Sequence, residues 1–156
     1  MKNWNNNHLN TKKTNTMAQL NPYIHFNGNA EDAFTFYKSI FGGEFTRLMR
    51  YKDLTGPGYQ VPENDANRVM HIVLPIAGNS SLMGSDVMEM MGKVTENDNR
   101  NTISINADSR EEADKLFHGL SAGGKVEMPI ADGPFGAYFG MFTDKYGVEW
   151  MVAYEA

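Results

Sequence analysis

The strongest constraint on this chain is that one block of sequence occurs twice. Residues 21–45, NPYIHFNGNAEDAFTFYKSIFGGEF, lie over residues 101–125, NTISINADSREEADKLFHGLSAGGK, at a constant offset of 80 (101 − 21). Asn21 falls on Asn101, Glu31 on Glu111, Ala33 on Ala113, Tyr37 on Phe117 and Gly43 on Gly123. Identities are few, yet each copy runs from a short strand through a polar turn into an amphipathic helix and a glycine pair. A period this long, present twice, marks a duplicated supersecondary unit, since a solenoid needs more copies to bury its faces. A cleft between two such units is the expected place for function.

In the first copy Tyr23, Ile24, His25 and Phe26 form a predicted strand, closed by the Asn27-Gly28 turn pair. Asn29 is placed to cap the next helix, and Glu31 and Asp32 suit its positive first turn. Ala33, Phe34, Tyr37, Ile40 and Phe41 recur at helical spacing, and Gly42-Gly43 supplies the left-handed backbone that stops the helix. Residues 45–51 and 69–74 are predicted strands. In the second of these Met70, Ile72 and Leu74 share one face, and Val69, His71 and Val73 the other. Residues 52–68 between them have the length of a lid or binding loop. A shorter strand over 81–85 ends at Asp86, expected to cap its turn. The linker carries VMEMM, one helical turn in which Met88, Met90 and Met91 suit a lid, a dimer contact or core cover, and a surface NDN segment. The second copy repeats the plan: a strand over 102–106, a Ser109/Glu112 capping box, and a helix burying Ala113, Leu116, Phe117 and Leu120. Strands over 126–130, 137–143 and 149–154 follow. Each copy is thus strand, helix, then three strands, and the fold class is α+β.

Module one covers about residues 20–86, a linker 87–101, and module two about 102–154, within one domain over 18–156 that is long enough for a proper core. Residues 1–17, rich in asparagine and without apolar spacing, are expected to be a disordered extension, an upstream start or a cloning remnant. The net charge of −5 gives no electrostatic reason to bind nucleic acid or an anionic membrane. With no cysteine, disulfides and thiolate chemistry are excluded. No apolar run reaches transmembrane length and no signal-peptide stretch opens the chain, so a cytoplasmic location is expected by elimination.

Four motifs in order carry a family resemblance: NPYIHFNGNAEDAFTFY at Asn21, VMHIVL at Val69, LMGSD at Leu82 and GMFTDKYGVEWMV at Gly140. With the βαβββ order repeated, the chain resembles the vicinal oxygen chelate superfamily, the glyoxalase/bleomycin resistance/dioxygenase fold. Within it the finer likeness is to the PhnB-like branch, some members of which are labelled 3-demethylubiquinone-9 3-methyltransferase-like. The resemblance implies two βαβββ modules whose curved mixed sheets enclose a cleft, with helices on the outer faces. It also implies a small-molecule ligand in that cleft and a homodimer, and leaves open whether modules pair within a chain or across the dimer.

Enzymes of the superfamily hold a divalent metal with His or Glu from the first and last strands of the modules. That ion binds two adjacent substrate oxygens and stabilises charge developing on them. Aligned through the helices, two of those positions are Asn21 and Asn101, and the last-strand glutamate is replaced by Met151, four residues after Gly147. Two amides and a thioether suit zinc or manganese poorly, so no metal is expected at the usual positions. A displaced divalent-metal site is the alternative. His25 keeps the face of Asn21, Glu149 shares that of Met151, and His71 opposes the apolar face of its strand. The plainer alternative is that both histidines are ordinary hydrogen-bonded residues and Glu149 pairs with a cation.

Tyr23, His25, His71, Glu149 and Met151 are therefore the expected ligand-binding residues. The aromatics Tyr23, Phe135, Tyr138, Phe139 and Phe142 are core before they are pocket lining, and Arg47 and Arg50 fall on opposite faces, so that one can reach the cleft and pair with an anionic ligand. Two functions remain open: binding of a small molecule without turnover, or a metal-dependent lyase, isomerase or dioxygenase using the displaced site. Missing ligands favour the first, and whether the chain is an enzyme is undecided. The methyltransferase label is rejected, because there is no glycine-rich nucleotide turn and no room for a Rossmann domain. Hydrolase chemistry lacks a G-x-S-x-G elbow.

Overall fold

The computed structural model describes residues 18–155 other than 55, 59, 97 and 99. The expected disordered extension, residues 1–17, lies outside the described residues, as does the side chain of Phe135. Apolar alternation becomes β1 (Tyr23–Phe26), and the three-to-four spacing after it becomes α1 (Ala30–Phe41); β2 (Arg47–Arg50), β3 (Val69–Pro75) and β4 (Ser81–Asp86) complete the first module. The second comprises β5 (Ile103–Asn106), α2 (Arg110–Ser121), β6 (Lys125–Asp132), β7 (Ala137–Thr143) and β8 (Glu149–Glu155). β1 and α1 recur as β5 and α2 at the offset of the sequence repeat. The sheets have matching orders, β1-β4-β3-β2 and β5-β8-β7-β6. In each the first strand runs parallel to the last, and every other pair is antiparallel. Two mixed four-stranded sheets result, and no ladder among the described residues joins them into a closed barrel.

Several local expectations change for identifiable reasons. β2 stops at Arg50 because the ladder to β3 shifts between Met49 and Arg50, and Tyr51–Asp53 tightens into a 3-10 turn. Such a bulge turns the residues beyond it onto the other face. Val69, assigned by simple alternation to the face of His71, is accordingly buried in the core. Asn29 makes no side-chain cap bond. The start of α1 is held instead by Asp86, whose Oδ1 accepts from the Gly28 and Ala30 N–H groups and whose Oδ2 accepts from that of Val69. β4 lies beside β1, so its C-terminal carboxylate reaches the positive end of the helix that follows β1. Ser109 caps α2 as expected by accepting from Glu112 N–H, while Glu112 reaches back to the N–H of Asp108. The long loop contains a 3-10 turn, Glu63–Asp65, whose buried Asp65 pairs with Arg68; that arginine also holds Glu89 in the Glu89–Met91 turn of the linker.

The two modules share one core. Phe34, Tyr37, Ile72 and Leu74 from the first belong to the same buried cluster as Leu120, Phe142, Trp150 and Val152 from the second. A buried polar group ties the junction. Tyr37 Oη donates to Asp144 Oδ2 at 2.7 Å, and Trp150 Nε1 donates to the same oxygen at 2.9 Å. Asp144 Oδ1 accepts from the Tyr146 and Val148 N–H groups, which fixes the β7–β8 turn. Burial, and then the Asp144 charge, push the Tyr37 hydroxyl far above its ordinary pKa, so it stays a donor. The helices meet at Gly119, where an added Cβ would stand 3.2 Å from Ile40. The modules therefore pack on each other within one chain.

Candidate ligand site

The site follows from strand parity. Ile24 and Phe26 face the core, so Tyr23 and His25 occupy the helix-free face of the first sheet. Parallel pairing sets Tyr23 beside Met83 and His25 beside Ser85. His25 Nδ1 and Ser85 Oγ are hydrogen-bonded at 3.1 Å. In β3, Ile72 and Leu74 enter the core and His71 faces the other way. Its Nδ1 is hydrogen-bonded to Tyr23 Oη at 3.2 Å, and the two rings stack with centroids 5.6 Å apart. Tyr23 also lies 5.2 Å from the His25 ring. Burial, with help from the charge of Arg47, lowers the His71 pKa and keeps its imidazole neutral. Arg47 is paired with Val73 across the ladder, on the face of His71, whereas Arg50 forms an ion pair with Glu31 on α1 at 2.7 Å.

The second sheet contributes Glu149. Trp150 and Val152 are core residues, so Glu149 and Met151 face away from α2, with Glu149 opposite Thr143 and Met151 opposite Met141. Glu149 is only 7% exposed. Its Oε1 accepts from the Thr102 hydroxyl at 3.0 Å, but its Oε2 is buried with no hydrogen-bond partner. Buried polar atoms are nearly always paired, and leaving a charged one unpaired costs upwards of about 1–3 kcal/mol. Glu149 belongs to the wall of a cavity of about 440 Å³ between β1 and the starts of β5 and β8, although its Oε2 is itself covered. Tyr23 and His25 line it from one side, Glu149 and Asn101 from the other, and Glu96 and Asp98 of the linker close its end. A larger cavity of about 660 Å³ further along the seam, lined by Phe41, Ile76, Ile105 and Trp150, has no charged side chain in its wall.

Of the expected ligand-binding residues, Tyr23, His25 and Glu149 come together in one cavity. His71 reaches it only through its bond to Tyr23, and Met151 is not in its wall. Glu96 and Asp98 were not expected there, and neither were Ser85 and Thr102, which stand behind the wall as hydrogen-bond partners of His25 and Glu149. Ser85 becomes visible only once the β1–β4 register is known. Glu96 arrives because Asn27 exchanges hydrogen bonds with Val94 and donates to Glu96, folding the linker back onto the first module. The residues present do not fit the superfamily's metal. Asn21 Oδ1 accepts the Ser81 N–H, and among the described residues no three His, Asp or Glu side chains are grouped to hold an ion. No helix among them is long and apolar enough to cross a membrane.

Residues 19–152 match the family model of the Glyoxalase/Bleomycin resistance protein/Dioxygenase superfamily. The chain belongs to this superfamily. It is 29% identical over 136 residues to protein YjdN of Escherichia coli K12, covering 85% of this chain and 92% of that one. The crystal structure of protein PA1353 from Pseudomonas aeruginosa is similar at a TM-score of 0.77 and 37% identity, over 89% of this chain and 98% of the other. The PhnB protein from Bacillus cereus is similar at a TM-score of 0.66 and 29% identity, over 88% and 99% respectively. The PhnB-like resemblance and the duplicated α+β fold of the superfamily thus hold for this chain.

Proposed function

We propose that this protein is a PhnB-like member of the superfamily that binds a small molecule in the cavity between β1 and β8. The observation that supports this most is the convergence of Tyr23, His25 and Glu149 in the wall of one cavity. Glu149 also carries a covered Oε2 with no hydrogen-bond partner, an arrangement that forfeits stability and that a turn of the side chain toward a ligand donor would relieve. The surroundings suit a ligand: the cavity is of small-molecule size, with a few polar groups among apolar walls. The Tyr23–His71 bond and the His25–Ser85 bond fix the two rings that would contact the bound molecule. A fragment titration followed by protein NMR tests this, with shifts expected first at Tyr23, His25, Asn101 and Glu149. Fragments that bind only elsewhere would sink it.

The binding form is a homodimer. At one edge of each sheet, β2 and β6 have no second partner strand among the described residues, and Leu48, Val126 and Met128 are roughly two-fifths exposed. Exposed strand edges of this length are normally covered, and a second copy is the simplest cover. Light scattering at micromolar concentration distinguishes the two states, and a monomer mass would refute the dimer.

A further inference from the structure

Resting on the ligand site proposed above, we infer that the buried Ser85 holds His25 in the tautomer with its proton on Nε2. His25 is then a hydrogen-bond donor in the cavity wall, and the ligand it selects carries an uncharged acceptor, the carbonyl oxygen of a ketone or amide. Ser85 is only 6% exposed, and among the described residues its hydroxyl has one hydrogen-bond partner, His25 Nδ1 at 3.1 Å. A neutral imidazole donates from one nitrogen and accepts at the other. Were Nδ1 the protonated nitrogen, it would donate to Ser85 Oγ, and the hydroxyl hydrogen would lie buried with no acceptor. Buried donors are nearly always paired. Ser85 therefore donates, Nδ1 accepts, and the ring proton stays on Nε2.

His25 itself is exposed and lines the cavity, and no described residue bonds its Nε2. A fixed partner on one ring nitrogen sets what the other offers a guest. Tyr23 stands beside it with ring centroids 5.2 Å apart, and its hydroxyl is engaged with His71 Nδ1, so it offers the guest the face of its ring. Charge decides between kinds of acceptor. Glu149 lies in the same wall, is 7% exposed and has no ion pair among the described residues, and no lysine or arginine lines the cavity. A carboxylate ligand would accept from His25 but bring a second negative charge close to a buried one. A carbonyl takes the same hydrogen bond without that repulsion.

The tautomer is read first, with no ligand present, from the NMR shifts of the histidine ring nitrogens in the full-length protein in mildly alkaline buffer. His25 Nε2 should carry the proton, and Ser85→Ala should return the ring to a mixture of the two forms. A proton on Nδ1 in the parent would overturn the inference whatever the cavity binds. Acetophenone, toluene and benzoate, the same aromatic body with a carbonyl, no acceptor or a carboxylate, are then titrated and followed by NMR shifts of cavity residues. Acetophenone should bind about fivefold more tightly than toluene, the worth of one hydrogen bond, and more tightly than benzoate. His25→Phe should erase that advantage over toluene, and Ser85→Ala should reduce it. Equal binding of acetophenone and toluene would overturn the donor role while leaving a ligand site, and tighter binding of benzoate would overturn the uncharged class. Silence of the cavity residues toward all three probes would remove the ligand site as well, a failure distinct from that of the tautomer.

Discussion

Replacing Asp144 tests how the two modules are held together. Its carboxylate accepts four hydrogen bonds, from Tyr37 Oη, Trp150 Nε1 and the N–H groups of Tyr146 and Val148. In Asp144→Ala the two backbone donors sit in a turn that water can reach. The side-chain donors cannot be rescued so easily, because Tyr37 and Trp150 are at most 1% exposed. Each buried donor left without an acceptor costs about 1–3 kcal/mol, so the variant should lose roughly 3–5 kcal/mol. That is a large part of the roughly 5–15 kcal/mol that holds a typical domain folded. Tyr37→Phe removes one donor and leaves the carboxylate with three partners, and should cost only about 1 kcal/mol. The double variant should then be less destabilised than the sum of the singles, since a phenyl ring in place of the Tyr37 phenol needs no acceptor. Urea unfolding of the four proteins gives these numbers. A loss below about 1 kcal/mol in Asp144→Ala, or strict additivity, would refute the view that this carboxylate clamps module one to module two.

Other consequences can be checked separately. Asp86→Ala should cost about 2–4 kcal/mol in the same assay, because it strips the N–H groups of Gly28, Ala30 and Val69 of their acceptor. Gly84→Ala should cost about 1–3 kcal/mol, since the new methyl would stand 2.7 Å from the Ile24 carbonyl and 2.8 Å from the Phe34 ring. The His71 imidazole should titrate below a free histidine by NMR, and Arg47→Gln should raise its pKa. Because folding lowers that pKa, the stability linked to His71 is fully present above the unfolded value of about 6.5 and is lost as pH falls through the folded value. A His71→Phe variant should lose that part of the acid sensitivity.

Much of this was legible before any coordinates. The offset of 80 found β1 with β5 and α1 with α2, because local propensity and periodicity fix where short elements start and stop. Parity turned His71 away from the apolar face of its strand and set His25 on the face of Asn21. What could not be read was whatever depends on which strands are neighbours. Asp86 displaces Asn29 as the cap of α1 only because β4 lies beside β1. Val69 is buried only because of a bulge that no alternation pattern announces. Glu96, just before the NDN segment that looked like plain surface, carries no signal in the sequence, and it reaches the cavity through Asn27, nearly seventy residues away. Glu149 was singled out for its parity with Met151, but its orphaned oxygen is a fact of packing.

That oxygen offers the most direct measurement. Glu149→Met keeps the length of the side chain and removes both carboxylate oxygens, while the exposed Thr102 hydroxyl turns to water. Relief of an unpaired buried charge should outweigh one lost hydrogen bond and stabilise the unliganded protein by about 1 kcal/mol, a rise of about 2–4 °C in Tm. The same variant should weaken binding of the fragments that shift Tyr23 and His25 in the parent. A variant that is less stable than the parent and binds those fragments unchanged would show that Glu149 is a structural residue with no part in the ligand site.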